Sequence, residues 1–328
     1  HTPIDRQPAQ TAMTSIRLEI LPPDISCWRR GNHEADYVHV LDSGRPGPRV
    51  LVQALTHGNE ICGALALEWL FAQSFAPRAG QLTLVFANVA AFESFDPDAP
   101  HRSRYVDEDL NRVWADEVLF GPRDSSELRR ARELRAVVDG ADIVLDIHSM
   151  HEDCRPLMVC GRVDKNADYA RRLGVPADLL IDTGHPAGVR MIERGGLGDP
   201  ASARRALLIE CGQHWASSSR AVAIDTLVRF LALTGLADTD WARHHQQVPT
   251  PAGQRLIRVT EAVVAQSADF RFLVPVSGLG VVARKGTPIA QDGDHIWHAP
   301  CDDTVLVMPS LEHVRPGNTQ VRLGRFED

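Results

Sequence analysis

The sequence lacks the features that mark membrane, secreted and nucleic-acid-binding proteins. No apolar segment reaches the roughly 20 residues that a membrane-spanning helix requires, and no charged and then apolar signal segment opens the chain. The formal net charge is -8, whereas a nucleic-acid-binding protein normally presents a basic face. We therefore expect neither a nucleic-acid nor a membrane partner, and we place the polar residues 1–12 outside the fold.

Paired cysteines are also missing. The six cysteines are scattered, mostly inside apolar runs, and none belongs to a Cys-x-x-Cys pair. This distribution is typical of reduced, buried thiols, so we expect a cytoplasmic protein without structural disulfides. The sequence shows no heptads, convincing repeats or low-complexity tracts.

Strand-like and helix-like segments alternate through the first two thirds of the chain. An apolar run at residues 50–55 has the length and β-branched content of a buried strand, and residues 61–69 then follow helical spacing. We predict further strands at residues 16–21, 35–41, 82–89, 143–148 and 206–210, helices at residues 127–138 and 219–236, and a strand followed by a helix within residues 156–175. This alternation predicts an α/β fold, with a mostly parallel or mixed central sheet and helices on both faces.

The pattern changes after residue 236. Residues 244–253 are polar and contain two prolines, which is typical of a linker, and residues 254–328 hold short β-like runs separated by Gly, Pro and Asp. A chain of 328 residues is also long for one domain. We therefore predict a first domain at residues 13–245 and a small β-rich C-terminal domain at residues 254–328.

Two long segments of the first domain show little periodicity. Residues 92–114 are polar and too long for a routine connection, and long ordered loops are usually functional. Residues 184–205 hold five glycines and predict a loop that covers a site.

His57 and Glu60 occupy the predicted turn between the first buried strand and its helix. We expect Asn59 to cap that helix and Gly58 to allow a tight turn. An imidazole and a carboxylate three residues apart can bind one metal ion, and zinc accepts both ligand types but needs at least one more. For this short motif alone, a surface turn is the favoured alternative.

His57, His148 and Glu210 all lie at or just beyond the carboxyl ends of predicted strands. In an open parallel sheet, ligands bind at that edge, near a switch in strand order. Asp146 lies two residues before His148 and hence on the same side of the strand, where it can orient the imidazole of a metal-bound histidine. A core histidine beside a solvated or helix-capping aspartate is the alternative interpretation.

Four motifs together resemble the succinylglutamate desuccinylase and aspartoacylase family. In chain order they are HGNE at residues 57–60, RYVDEDLNR at residues 104–112, DIH at residues 146–148 and LIECG at residues 208–212. The second motif is the most specific, and the resemblance covers roughly residues 45–235. It implies a zinc carboxypeptidase-like fold and one Zn²⁺ per chain, held by His57, Glu60 and His148 with water in the fourth position.

The resemblance also implies roles for other residues. Glu210 becomes the general base that takes a proton from the water and later passes it to the leaving amine. Arg104 becomes the arginine that polarises the scissile carbonyl together with the metal. Asn111 and Arg112 become the pair that binds the substrate carboxylate, and Asp109 becomes a residue that supports the metal site.

Two departures from the family pattern leave the acyl group of the substrate open. Family members often contribute a tyrosine from the C-terminal region, but the tyrosines here are Tyr37, Tyr105 and Tyr169. Some members also carry an arginine for the acyl group, upstream of the catalytic glutamate. Its candidate counterparts here are Arg190, Arg194, Arg204 and Arg205.

The expected activity is zinc-dependent hydrolysis of the amide bond of an N-acyl amino acid or a related small carboxylated amide. A metallocarboxypeptidase that acts on short peptides is one alternative, and a metal-free protein that binds small carboxylates is another. A serine hydrolase is not favoured, because the chain has no Gly-x-Ser-x-Gly motif. His151, His185 and His214 either line the pocket or are exposed loop residues, and a homo-oligomer is compatible with the sequence.

Overall fold

The computed structural model describes residues 17–311 and 314–327. The helices are α1 (Ile61–Ala72), α2 (Val89–Glu93), α3 (Asp116–Leu119), α4 (Ser126–Gly140), α5 (Asp164–Leu173), α6 (Ser217–Leu233) and α7 (Thr239–His245). The strands are β1 (Val38–Asp42), β2 (Arg49–Ala54), β3 (Gln81–Phe86), β4 (Ile143–Met150), β5 (Leu157–Val159), β6 (Asp178–Ile181), β7 (Arg205–Gln213), β8 (Arg255–Val264), β9 (Arg271–Phe272), β10 (Gly280–Val282), β11 (Pro288–Asp292), β12 (His295–His298), β13 (Thr304–Val307) and β14 (Thr319–Glu327). Short 3-10 helices include Pro100–Arg104 and Leu110–Arg112 in the long loop, and Met191–Glu193 and Gly195–Leu197 in the glycine-rich segment.

One large mixed sheet forms the centre of the fold. Its strand order is β1-β3-β2-β4-β7-β5-β6-β8-β14-β13-β10. The strands β3, β2, β4 and β7 run parallel, whereas β1 and β5 pair antiparallel with their neighbours β3 and β7. The predicted mixed sheet is therefore confirmed.

The chain changes direction across the sheet between β2 and β4. It passes from β2 to β3 on one side, and then returns to place β4 on the other side of β2. The connections after these two parallel strands therefore lead away from each other and leave a crevice at their carboxyl ends, where ligands bind in open α/β sheets.

Helices pack on both faces of the sheet, as predicted. Side chains of a strand alternate between the two faces, so Val50 and Val52 of β2 lie in the core beneath α1, α5 and α6. Leu51, between them, lies in the opposite core beneath α4. Burial on both faces explains why β2 is mainly an apolar run, with Gln53 as its one buried polar residue, rather than an alternating one.

The C-terminal region continues the large sheet. β8 pairs in parallel with β6 of the first region, and β14 pairs antiparallel with β8. The strands β9, β11 and β12 form a separate three-stranded sheet, and a third apolar core lies around Ile289 and Trp297. The division into domains at residues 245 and 254 stays a prediction.

Some predicted elements differ from the structure. The strand predicted at residues 16–21 is wrong for its described part, residues 17–21, because the N–H groups of Glu19 and Ile20 both donate to the carbonyl of Trp215 instead of a strand partner. Residue 16 and the predicted lead-in at residues 1–12 lie outside the described residues. Strand β6 was not predicted, and α7 occupies the beginning of the predicted linker.

The cysteines are free, as expected from their spacing. Cys62, Cys154, Cys160 and Cys211 are buried, whereas Cys27 is exposed. In the part of the chain that the structure describes, no helix combines the length and the apolar character needed to cross a membrane.

Candidate metal centre and active site

The connection from β2 to α1 directs His57 and Glu60 toward each other. Leu55 adopts a left-handed conformation with φ of 60° although it is a bulky residue, which is a strained backbone state. Gly58 is required for close packing, because a Cβ there would lie 2.4 Å from backbone atoms of Ala91, Phe92 and Ser103. In this arrangement Nδ1 of His57 lies 2.8 Å from Oε1 of Glu60, and both side chains are buried.

The predicted helix cap is wrong. The N-cap position of α1 is Glu60, which makes no side-chain capping hydrogen bond because its carboxylate is turned toward the histidines. The carbonyl of Asn59 accepts a hydrogen bond of 3.1 Å from Nε1 of Trp215. Among the described residues, Oδ1 of Asn59 is buried without a hydrogen-bond partner.

Strand β4 brings His148 and Asp146 to the same point. Nδ1 of His148 lies 2.8 Å from Oε2 of Glu60, and its Nε2 lies 2.8 Å from Oδ2 of Asp146. The hydroxyl of Thr56, which sequence reasoning missed, donates to Oδ1 of Asp146 at 2.8 Å. Asp146 is completely buried, so it orients the imidazole as predicted and is neither solvated nor a surface cap.

The two imidazole rings are held in the same way. Nε2 of His57 lies 2.8 Å from Oδ1 of Asp109, just as Nε2 of His148 contacts Asp146. An ionised carboxylate only accepts hydrogen bonds, so each Nε2 carries a proton. Each Nδ1 then faces a Glu60 oxygen, and this is favourable only if the rings carry a second proton or if a cation lies between the three groups.

These three residues fit a zinc ion by the chemistry of their ligand atoms. Within the described chain, His57, Glu60 and His148 form the one group of three or more candidate metal ligands, and their ligand atoms all lie within 4.8 Å of one another. Two imidazole nitrogens and one carboxylate oxygen, with aspartates on the distal ring nitrogens, are typical of catalytic zinc sites. Without a cation, Asp146 and Glu60 outweigh the effect of burial and hold the pKa of His148 well above its usual value.

Glu210 lies beside this group but is not part of it. It is directly opposite His148 in the register between β4 and β7. Burial raises the pKa of Glu210 well above its usual value, and the charge of Glu60 raises it further. Among the described residues, Oε2 of Glu210 is buried without a hydrogen-bond partner. A buried carboxyl group with a raised pKa and a free oxygen is suited to accept a proton.

Arg104 contacts the metal ligands through Asp109. Nη2 of Arg104 donates to Oδ2 of Asp109 at 3.0 Å, and its Nη1 lies 3.6 Å from Oε1 of Glu60. The side chain of Arg104 is 36% exposed, so its guanidinium remains partly accessible from solvent. Asp109 thus joins one imidazole and one guanidinium of the candidate site.

Asn111 and Arg112 lie farther along the same loop. Oδ1 of Asn111 accepts from the N–H of Met191 at 3.0 Å, and Nη1 of Arg112 donates to the carbonyl of Asn111 at 2.7 Å. The remaining carboxylate contact of Arg112 is a distance of 3.7 Å to Asp109, which Arg104 shares. Burial lowers the pKa of Arg112 to about 10, and the positive charge of Arg104 acts in the same direction. Arg112 is therefore a partly buried cation with an incomplete set of anionic partners.

The model of the succinylglutamate desuccinylase/aspartoacylase catalytic domain matches residues 46–226, more than half of the chain. This protein belongs to that family. A probable aspartoacylase from Parasynechococcus marenigrum is 41% identical over 139 residues, which make up 40% of this chain and 40% of that protein. A succinylglutamate desuccinylase from Burkholderia cenocepacia is 26% identical over 297 residues, which make up 82% of this chain and 78% of that protein.

The fold is also found in solved structures. A succinylglutamate desuccinylase from Vibrio parahaemolyticus superposes with a TM-score of 0.66 at 16% sequence identity, over 89% of this chain and 86% of that chain. The match extends well beyond the catalytic region, so it includes strands of the C-terminal part. The fold predicted from the motifs is therefore confirmed.

The four arginines predicted as candidates for the acyl group are all engaged elsewhere. Arg190 is paired with Asp182 and Glu193. Arg194 is paired with Asp116 and Asp139. Arg204 and Arg205 lie at the amino end of β7, whereas Glu210 lies toward its carboxyl end. Both arginines donate to backbone carbonyl groups, including those of Ala141 and Ala203. Sequence spacing did not reveal this, because partners such as Asp116, Asp139 and Ala141 lie in distant segments of the chain.

His214 is a buried residue of the site rather than an exposed loop histidine. Its Nδ1 lies 2.8 Å from the hydroxyl of Ser149, whose N–H donates to Oε2 of Glu60 at 3.3 Å. Burial lowers the pKa of His214 to about 3, so its imidazole is neutral. His185 and His151 are partly exposed.

Proposed function

We propose that this protein is a zinc-dependent hydrolase that cleaves the amide bond of an N-acyl amino acid or a related small carboxylated amide. One observation carries the proposal. The ligand atoms of His57, Glu60 and His148 converge, and Glu210 presents an unpaired, buried carboxyl oxygen beside them. The family and the printed names of its relatives, an aspartoacylase and a succinylglutamate desuccinylase, support the same chemistry.

The residues of the site divide into those that hold the metal and those that act on the substrate. His57, Glu60 and His148 would hold the zinc ion, which lowers the pKa of a water molecule to about 7 and polarises a carbonyl. Glu210 accepts a proton from the attacking water and afterwards donates it to the nitrogen of the leaving amine. The same carboxyl group serves both steps because burial keeps its protonated form accessible.

The arginine loop, which we define as residues 104–112, acts on the two ends of the substrate amide. Arg104, which is partly exposed and next to Glu60, donates hydrogen bonds to the carbonyl oxygen as negative charge develops on it. Arg112, together with Asn111, binds the free carboxylate of the amino acid through charge-assisted hydrogen bonds. The substrate carboxylate supplies the anionic partner that Arg112 lacks in the described structure.

Metal analysis and a substrate panel test the proposal together. Protein purified without added metal is expected to contain one zinc ion per chain, and to hydrolyse N-acyl amino acids from a panel with varied acyl chains. Cleavage of dipeptides alone would favour the carboxypeptidase alternative. Binding of small carboxylates without zinc and without turnover would favour the binding protein.

The His148→Ala variant tests the ligand set. It is expected to lose most of the bound zinc yet to remain folded, because burial of the sheet rather than the ion supplies most of the stability of a domain of this size. His298→Ala, which changes an exposed histidine of β12, serves as the control and keeps its metal. Full zinc occupancy in His148→Ala would remove His148 from the ligand set.

A further inference from the structure

The loop that carries Arg104, Asp109 and Arg112 contains a segment whose side chains bury little apolar surface. Tyr105 and Val106 are 43% and 47% exposed, and Asp107 is exposed as well. Apolar burial, which fixes most backbone segments, therefore contributes little between Arg104 and Asp109. Something other than side-chain packing must determine where these charged groups lie.

The buried carboxylate of Glu127 binds the backbone of this segment. Its Oε1 accepts from the N–H of Val106 at 2.7 Å, and its Oε2 accepts from the N–H groups of Asp107 and Glu108 at 3.0 and 3.1 Å. Glu127 is completely buried. Three consecutive backbone N–H groups thus point at one carboxylate, and hydrogen bonds to an ionised acceptor are the stronger kind.

Glu127 is also connected to the metal side of the site. Oε1 of Glu127 accepts a fourth hydrogen bond, at 3.0 Å, from Nδ2 of Asn88. The N–H of Asn88 donates to the carbonyl of Leu55, two residues before the ligand His57. The other end of the segment is held independently, because the N–H of Gly58 donates to the carbonyl of Arg104 at 3.0 Å. Glu127 therefore sets the position of the arginine loop relative to the β2–α1 connection.

The helix that carries Glu127 does not require this side chain for its own end. Ser125 is the N-cap of α4, and its hydroxyl accepts from the N–H of Leu128 at 3.0 Å. The carboxylate of Glu127 points away from the helix and into the loop. A hydrogen bond from the helix to the loop strengthens the same contact region, since the N–H of Ser126 donates to Oδ2 of Asp107 at 2.7 Å.

We propose that Glu127 is a positioning residue for catalysis, whose buried carboxylate holds residues 106–108 so that Arg104 and Arg112 reach the substrate at the metal centre. This inference rests on the proposed function, because it assigns Glu127 to the same hydrolytic site. Glu127 touches neither the substrate nor the metal, and it acts through the backbone of the loop.

The Glu127→Gln variant tests the proposal with little change in shape. An amide nitrogen donates rather than accepts, so it faces at least one of the three N–H groups unfavourably and the loop shifts. Zinc content is expected to equal that of the wild type, because the metal ligands lie on other elements. We expect kcat/KM for an N-acyl amino acid to fall roughly a hundredfold, the scale of a small misplacement of catalytic groups. Glu133→Gln on the same helix, whose side chain is 56% exposed, is the matched control and stays near wild type.

A comparison of two substrates separates positioning from a general loss of stability. The wild type is expected to prefer an N-acyl amino acid over the same compound with its carboxylate converted to an amide. In Glu127→Gln this preference falls roughly tenfold or more, and in an Arg112→Ala background the Glu127→Gln change reduces it little further. An unchanged preference in Glu127→Gln would overturn the proposal, since a purely structural glutamate affects both substrates equally.

Hydrogen exchange gives a readout that does not depend on activity. The amides of residues 106–108 are expected to exchange faster in Glu127→Gln than in the wild type and in Glu133→Gln. Equal exchange rates would overturn the proposal, even if activity had fallen. A wild-type protein without turnover of N-acyl amino acids would refute the proposed function, and the exchange data would still decide whether Glu127 holds the loop.

If Glu127→Gln does not fold, Glu127→Asp replaces it in both measurements. The aspartate keeps the charge but is one methylene shorter, so it is expected to show faster exchange at residues 106–108 and a partial loss of carboxylate preference. Wild-type behaviour of Glu127→Asp in both measurements would contradict the proposal, because the shorter side chain does not reach all three N–H groups.

Discussion

Two buried groups of polar side chains in the described part of the chain differ in how their hydrogen-bonding atoms are satisfied. In the Asp182 cluster, which consists of Asp182, Arg190 and Glu193, the guanidinium donates to both oxygens of Asp182 at 2.6 and 2.8 Å and to both oxygens of Glu193 at 3.0 and 3.1 Å. In the metal corner, which consists of His57, Glu60 and His148, the candidate ligand atoms all lie within 4.8 Å of one another, and Oε2 of the neighbouring Glu210 is buried without a hydrogen-bond partner among the described residues.

The difference between the two groups shows which property marks a functional site. Both contain strongly shifted pKa values: Asp182 and Glu193 outweigh burial and raise that of Arg190, and burial raises that of Glu210 beside the metal corner. A shifted pKa alone therefore does not distinguish them. A buried acceptor without a hydrogen-bond partner, such as Oε2 of Glu210, does distinguish the two groups. Natural proteins rarely leave such an atom without a partner, and a bound ligand can supply one.

The largest predicted change is a loss of turnover on substitution of Glu210, the unpaired carboxyl group. Glu210→Gln is expected to keep its zinc and to bind substrate with similar affinity, yet to lose turnover by roughly 10²–10⁴-fold, because the amide cannot accept the proton. Steady-state kinetics with metal analysis measures this, and Glu261→Gln on an exposed part of β8 is the control. Turnover within a few-fold of the wild type would refute the assignment of Glu210 as the base.

The Asp182 cluster is expected to respond in stability rather than in chemistry. Arg190→Met leaves two carboxylates buried without their main cation, so we expect the free energy of unfolding to fall by about 3–5 kcal/mol. Urea unfolding at neutral pH measures this loss. Folded Arg190→Met protein should keep its zinc, and a loss of metal at unchanged stability would contradict the comparison. Arg45→Met at an exposed site is the control.

The stability deficit of Arg190→Met should depend on pH. Arg190 outweighs burial and holds the pKa of Asp182 below its usual value, so this carboxylate stabilises the wild-type fold above the unfolded pKa of about 3.9 and loses that contribution as pH falls through the folded pKa. The difference between variant and wild type is therefore largest near neutral pH and shrinks below about pH 4. A difference that grows on acidification would contradict this.

Substitution of Arg112 should cause an intermediate loss of kcat/KM, which depends on the free carboxylate of the substrate. In the wild type, converting the free carboxylate of the substrate to an amide should cost roughly 1.5–3 kcal/mol in kcat/KM, the value of a lost charge-assisted contact. In Arg112→Ala the same conversion should matter much less. Arg112→Lys should recover only part of the preference, because an ammonium group does not offer two parallel donors. Equal penalties in wild type and Arg112→Ala would favour a structural arginine.

The smallest changes in stability and in kcat/KM are expected on substitution of Arg204. Its guanidinium donates to the carbonyl groups of Ala141 and Val138 at 2.7 Å each, at the edge of the sheet opposite Glu210. Arg204→Ala should cost roughly 1 kcal/mol of stability and change kcat/KM uniformly, by no more than about twofold, for substrates with different acyl chains. A loss that depends on the acyl chain would place Arg204 at the acyl group after all.

The sequence by itself determined the elements that present the site. The apolar run of β2, the helical spacing of α1 and the strands β4 and β7 place His57, His148 and Glu210 at one edge of a sheet, and all of this follows from local periodicity and the rule for parallel strands. Their common position was therefore predicted from the chain pattern, whereas their roles as candidate zinc ligands and base were implied by the resemblance to the family.

Only the tertiary structure decided how the charges of the site are paired. Asp109 reaches His57 across 52 residues of chain, Glu127 accepts hydrogen bonds from a loop about 20 residues earlier, and Arg190 is bound to Asp182. Asn59 was expected to cap α1, but its carbonyl binds Trp215. Residue spacing carries no signal for such contacts, because hydrogen bonds between distant segments depend on how the helices and loops pack against the sheet.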